Sequence, residues 1–402
     1  MNKLLTNKYL TLFSLYIAQS VPMTFFSTVL PVIMRQNHFS LTSIGLLQLI
    51  KLPWILKFIW APTIDKSTKK INDYKHWIFS AEIIYALLIF IVAFLNLNVN
   101  FSLIVIFLLL AFTASATQDI ATDAFAIIIL KKDERSIGNS MQSGGSFMGT
   151  LIGSGVLLII YAKYGWKTLI FSLAAFVIIA LIPLLFYKNQ NITYNKNTKK
   201  ISFKDIYSFF RQKNIGKHII LLISFYTAII GILTMSKPWL VDLGFSLSQI
   251  GLFFGVYGPI SGFVTAFIAG IIIKKIGTKK SLKLFTAMSI IASGNFLILS
   301  TIQKTNTLII AAIIILWCAY AANSVSIYTI AMNAVRKGRE GTDFTIQMVL
   351  THIGSLIIAI LSGKLAHNLG YRGLFIIEII IAIAIFFFFP LLLTFKPENY
   401  EN

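Results

Sequence analysis

Apolar runs of twenty or so residues, cut by short polar stretches, are the dominant pattern along this chain. Twelve can be placed, at approximately 8–34, 40–63, 76–96, 100–130, 138–161 and 167–187 in the first half. The second half has 218–236, 247–274, 281–302, 307–335, 342–364 and 372–395. A helix needs about 20 apolar residues to cross a bilayer, so the pattern predicts an all-α integral membrane protein with twelve transmembrane helices. The first run follows Lys3 and Lys8 as a secretory leader would, but it continues to about Ile33, too long for a cleaved segment. It is read as the first span.

Composition agrees: 57% of residues are hydrophobic and 12% charged, with a mean hydropathy of +0.80, against roughly a quarter charged in soluble domains. The net charge of +21 would suggest nucleic acid in a soluble chain, but its distribution says otherwise. With the N-terminus in the cytoplasm, the cytoplasmic segments hold 26 Lys and Arg and the opposite loops 7, with Lys51 and Lys57 inside span 2. That is the positive-inside bias. The largest basic block, Tyr187–Lys217, lies between spans 6 and 7, with a short amphipathic helix expected near Phe203–Phe210. The single cysteine, Cys318, sits in an apolar run and has no disulfide partner in the chain.

"FSLTSIGL" from Phe39 returns 206 residues later as "FSLSQIGL" from Phe245, each opening the second span of its half. "DERSIGNSMQ" (Asp133–Gln142) aligns with "GREGTDFTIQ" (Gly338–Gln347) at an offset of 205, as Gly149 does with Gly354. Six spans per repeat give both halves the same orientation, a parallel repeat about an axis along the membrane normal. The expected organisation is an N-terminal six-helix half (1–187), a basic cytoplasmic linker (188–217) and a C-terminal six-helix half (218–402). A solute site between the halves, reached by rocking of one against the other, follows from that arrangement.

Polar residues inside spans are the candidates for chemistry. Span 4 reads "TASATQDIATDAF" (Thr113–Phe125); Asp119 and Asp123 are four apart and share a helix face, with Gln118 beside them. Acids at bilayer depth usually mark ion or solute pathways, and protonation is one way to accommodate them. A salt bridge is the plainer reading, with Lys51 as the cation the sequence offers and Lys57 expected to snorkel to the surface. The equivalent segment of the second half has Asn323, Ser324 and Tyr328 instead of acids. His352 and Glu378 are further intramembrane candidates, and Gln142, Gln347 and Asn333 are neutral polar groups suited to a solute. Gly145, Gly149 and Gly153, four apart, suggest close helix packing; Trp54, Trp60 and Trp239 are read as interfacial anchors or cavity walls.

The loops after the repeated octets, "APTIDKSTKK" (Ala61–Lys70) and "IAGIIIKKIGTKK" (Ile268–Lys280), resemble the major facilitator loop signature. Asp65 fits its acidic position; the second copy lacks the acid but keeps its lysines. The resemblance implies a gate in which Asp65 meets a helix N-terminus and basic residues such as Lys69 and Lys70 pair across the cytoplasmic face. Together, "IGLLQLIKLPWILKFIWAPTIDK" (Ile44–Lys66) and "ATQDIATDAF" (Ala116–Phe125) look like the AmpG-related branch of that superfamily. The branch contains muropeptide permeases, acetyl-CoA transporters and siderophore importers of the RhtX/FptX type. "SVPMTFFSTVLPVIMRQ" (Ser20–Gln36) looks closer to the siderophore members.

The resemblance implies an inner-membrane, proton-coupled importer with both termini cytoplasmic. A ferric siderophore is its first substrate class and a muropeptide or cell-wall sugar-peptide its second. The expected partners are the solute, protons and the bilayer, with no nucleic acid, and the chain is expected to act as a monomer. No P-loop, metal site, cofactor or catalytic constellation is expected. The rival from another class is a Mg²⁺-dependent intramembrane prenyltransferase built on "DIATD", which would need several further carboxylates to hold its metal.

Overall fold

The computed structural model describes residues 3–188, 201–302, 304–395 and 397. Among the described residues the chain forms ten long apolar helices. They are α1 (Lys8–Gln36), α2 (Thr42–Ile59), α3 (Ile71–Val92), α4 (Phe101–Ile129), α5 (Arg135–Phe186), α7 (Ile215–Asp242), α8 (Ser248–Ile276), α9 (Thr278–Leu299), α10 (Asn306–Asn333) and α11 (Glu340–Leu392). A short helix, α6 (Lys204–Phe210), precedes α7. Residues 189–200 of the basic linker lie outside the described part.

Ten helices carry twelve spans because α5 and α11 each contain two. At 52 residues, α5 would run about 78 Å if straight, far beyond the ~30 Å of a hydrocarbon core. It breaks at Gly165 (φ 75°), and α11 breaks at Gly370 (φ 70°). A positive φ is cheap only for glycine, and these two glycines are again 205 apart. Each break turns one span into the next with hardly any loop.

The repeated octets also have a local cause. The second residue of each is a serine that caps its helix: Ser40 accepts from Ser43 N–H and Ser246 from Gln249 N–H. The residue two before each serine, His38 or Gly244, takes a positive φ. The phenylalanine between them donates its N–H back to the preceding helix, Phe39 to Met34 O and Phe245 to Leu240 O, both at 3.0 Å. Each ring then packs on a neighbour, Phe39 on Phe101 and Phe245 on Phe253.

The chain divides into two compact units. Unit 1 comprises Met1–Lys131, Gly145–Tyr207 and Arg336–Thr345; unit 2 comprises Lys132–Gly144, Ser208–Val335 and Ile346–Asn402. Each unit therefore includes one short segment from the other half of the sequence, and the two segments are repeat-related.

Within unit 1, α5 packs against α1 along the glycine ladder. A β-carbon at Gly149 would stand 2.3 Å from Ser20 Cβ, and one at Gly153 2.6 Å from Val21 O. Phe25, Phe26, Tyr85 and Phe112 form an aromatic core beside this seam. Gly149→Ala is accordingly expected to cost about 1–3 kcal/mol by overpacking, read as a lower unfolding temperature of the purified protein. Unit 2 has its own core around Trp239, Phe296 and Phe375. Trp239 is 5% exposed, so it is a packing residue of unit 2 and not an interfacial anchor.

Candidate functional site

The polar centre of unit 1 is built on α4, whose second half is buried almost continuously from Ser115 to Ala126. Asp119 pairs with Lys57, and both side chains are almost fully enclosed. The cation offered by the sequence, Lys51, is instead half-buried and makes no ion pair among the described residues. Lys57 does not snorkel. The reason lies in "LIKLPWILKFIWAP": α2 is broken into 3₁₀ turns at Gln48–Lys51 and Lys57–Ile59, with Pro53 near the start of the helical piece between them (Leu52–Leu56) and Pro62 near the start of the short helix that follows (Ala61–Ser67). Proline removes a backbone donor and resets the helix, and the resulting geometry turns Lys57 inward onto α4. Its ammonium also lies 4.8 Å from the centroid of the Trp54 ring, a cation–π contact favourable in a desolvated setting.

One turn along α4, Asp123 Oδ1 accepts a 2.8 Å hydrogen bond from Tyr16 OH of α1. Asp119 and Lys57 both act electrostatically on Asp123, so the two acids and the lysine form one charge cluster. Gln118 Nε2 donates to Thr122 Oγ1, and Trp60 Nε1 to Thr117 Oγ1. A buried lysine paired with one of two neighbouring acids, with a tyrosine on the other, can hold one net negative charge or release it by binding a proton or a cationic group.

A second cluster in unit 1 lies at the start of α11. Asp65 is fully buried; its carboxylate accepts from Gly341 N–H (3.1 Å), Thr342 N–H (2.7 Å), Thr342 Oγ1 (2.7 Å) and Tyr74 OH (2.8 Å). An acid on the first free N–H groups of a helix is held by charge-assisted bonds and the helix dipole. The same segment is braced by Arg336, which pairs with Asp343, and by Arg339, which pairs with Asp205 of α6; Arg336 Nη2 also donates to Asp205 O. These basic partners are not Lys69 and Lys70. Both of those side chains are exposed, and their backbone N–H groups are capped by Asp73 Oδ2.

The repeat-related position in unit 2 works differently. Gly270 stands 205 residues after Asp65, and a β-carbon there would meet Ser140 Oγ at 1.9 Å and Ser136 O at 2.8 Å. Ser140 Oγ donates to Ala266 O at 2.8 Å. Where unit 1 holds a helix start by a carboxylate, unit 2 holds one by direct backbone approach.

The remaining candidates belong to unit 2 and are dispersed. Asn323 Nδ2 donates to Ser289 Oγ and to Ala319 O. Tyr328 is half-buried and His352 exposed. Glu378 is 2% exposed and fits against Gly231, where a β-carbon would stand 1.8 Å from its Oε1. Gln347 is occupied by His218 (2.6 Å) and Ala331 O, and Asn333 Oδ1 accepts from Arg135. Several residues absent from the sequence analysis matter here: Tyr16, Tyr74, Arg336, Asp343 and the fully buried Glu82 of α3. Of these only Glu82, a lone acid in the apolar run "WIFSAEIIYALLIF", was visible in the pattern of the chain itself.

The profile described as Major Facilitator Superfamily matches residues 12–354. A protein of Rickettsia prowazekii named "Putative transporter AmpG 3" is 27% identical over 368 residues, covering 86% of each chain. The Escherichia coli K12 "Anhydromuropeptide permease" is 20% identical over 371 residues, covering 91% of this chain and 76% of its own. Among solved structures, the E. coli fucose:proton symporter superposes with a TM-score of 0.71 at 16% identity, over 98% of this chain and 100% of its own.

Proposed function

The chain belongs to the Major Facilitator Superfamily, and on that premise we propose that it is a proton-coupled importer of a cell-wall sugar-peptide across the inner membrane. The observation that carries coupling is the buried Lys57–Asp119 pair next to the Tyr16-bound Asp123. Such a cluster is costly at bilayer depth and is retained where charge has to be taken up and released. Tyr16 ties α1 to α4, so a change in the charge of Asp123 is felt by two helices. The names of the relatives support the substrate class, and the basic linker supports cytoplasmic termini. A ferric siderophore is the second reading, favoured by the segment Ser20–Gln36 alone.

In this scheme Asp65 acts as a latch. With its four hydrogen bonds made, the start of α11 is held in unit 1; opening of that side requires them to break. Proton or solute binding shifts the equilibrium only by its differential affinity for the two states.

Asp123→Asn keeps the shape and the bond from Tyr16 while removing a titratable group. In vesicles with an imposed inward proton gradient, this variant is expected to lose accumulation of labelled anhydromuropeptide while retaining counterflow exchange. Full accumulation by the variant would remove Asp123 from coupling. A deletion strain that takes up the sugar-peptide normally but fails on a labelled ferric siderophore would reverse the order of substrates.

A further inference from the structure

Span 3 carries an acid that the cluster described above does not use. Glu82, at mid-length of α3, is fully buried, and neither of its carboxyl oxygens has a hydrogen-bond partner among the described residues. Other polar atoms of the paired helices α3 and α4 are in the same condition: Tyr85 OH one turn along α3, and Ser115 Oγ and Gln118 Oε1 one turn apart on α4. The helices are in register here, because the Tyr85 ring packs on Phe112 at 6.0 Å. Tyr85 is close enough to feel the charge of Glu82 and to interact with Ser115, although no aligned bond is made.

Buried polar groups are almost always satisfied, and an exception calls for a water, an ion or a functional role. α3 packs against α4, α5 and the short helix Ala61–Ser67. Among the described residues, no charged side chain of these elements acts on Glu82; Tyr85 is its titratable neighbour. An ionised carboxylate there would have neither counter-ion nor donor at the depth of the hydrocarbon, which is a heavy cost. Asp119, by contrast, has Lys57. The two acids therefore present different chemistry: one is an ion-pair member, the other a lone carboxyl beside unpartnered polar atoms of α3 and α4. Hydroxyl and amide groups of this kind suit water, the usual carrier of a proton to a buried acid.

We infer that Glu82 is a second proton-binding site, separate from the Lys57 cluster, protonated in this conformation and hydrated through Tyr85, Ser115 and Gln118. It deepens the coupling reading above and rests on it for its role in transport, but the site itself is testable without any solute. Infrared difference spectra of the reconstituted protein across a pH titration read the carbonyl stretch of a protonated carboxylic acid directly. The wild type is expected to show such a band, disappearing as pH rises, and Glu82→Gln is expected to lose it. Tyr85→Phe, which keeps the acid and alters its one titratable neighbour, is expected to shift the band, and it serves if the Gln variant fails to fold. A band unchanged in both variants, or indifferent to pH, overturns the inference.

In vesicles given an inward proton gradient and labelled anhydromuropeptide, Glu82→Gln is expected to lose accumulation and keep exchange. Undiminished accumulation by that variant would overturn the role in transport. If the wild type shows the titrating band but no proton-driven uptake, the coupling reading falls and the proton site stands.

Discussion

Asp119→Asn is expected to destabilise the protein severely, because it removes the carboxylate that the buried Lys57 ammonium touches and leaves only the more distant, Tyr16-bound Asp123 to balance it. Breaking one side of a buried pair typically costs about 3–5 kcal/mol, whereas replacing both members by apolar groups is often neutral or better. The double change Lys57→Met with Asp119→Leu is therefore expected to recover most of the stability lost by the single variant, with no recovery of proton-driven uptake. Thermal unfolding in detergent of the wild type, Lys57→Met, Asp119→Leu and the double closes the cycle. If Asp119→Asn melts with the wild type, or the double is no better than the single, Lys57 and Asp119 are not energetically paired. The Trp54 ring alone would offset only part of the loss, since a cation–π contact is worth about 2 kcal/mol when desolvated.

The second large effect is expected at Asp65. Asparagine has the same size, but its amide would turn a donor toward N–H groups that Gly341 and Thr342 already present. Hydrogen bonds to a charged group contribute about 1.5–3 kcal/mol each, and the helix terminus adds up to ~2. A net loss of about 2 kcal/mol shifts a two-state equilibrium by roughly thirty-fold. The shift can be read by cysteine labelling, because Cys318 is the single cysteine of the chain. In a Cys318→Ser background, a cysteine at the buried Thr345 is expected to label slowly with Asp65 present and much faster with Asp65→Asn. Equal labelling rates would mean that the start of α11 is held by Arg336 and Arg339 alone.

Hydropathy and the half-length repeat were enough to place the twelve spans and the repeated octets, since both depend on local chemistry. A capping serine and the aromatic fold-back just before it leave a trace in eight consecutive letters, whereas the positive-φ residue ahead of them, His38 or Gly244, does not repeat. The glycine ladder was legible for a similar reason: a four-residue spacing of small side chains has few other uses in a membrane helix. What could not be read was anything decided by contact over distance. Tyr16 and Asp123 are 107 residues apart, and nothing in either neighbourhood announces the other. The choice between Lys51 and Lys57 depended on how the 3₁₀ turns and prolines of "LIKLPWILKFIWAP" redirect the chain, which hydropathy does not encode. The exchange of the segments 132–144 and 336–345 between units is a property of tertiary packing alone. Glu82 was legible as an isolated acid, but only its lack of partners distinguishes it from an ordinary buried contact.

The one-residue turns at Gly165 and Gly370 bear on how the chain enters the membrane. With hardly any connecting loop, the two helices on either side of each glycine cannot be delivered as separate segments; the second has to follow the first as a hairpin. The translocation machinery therefore handles ten insertion events for twelve crossings, two of them paired. With the cytoplasmic termini proposed above, the charged residues beside the turns, Lys163 and Lys167 at the first and Arg372 at the second, have to be carried across the bilayer along with the hairpin tips.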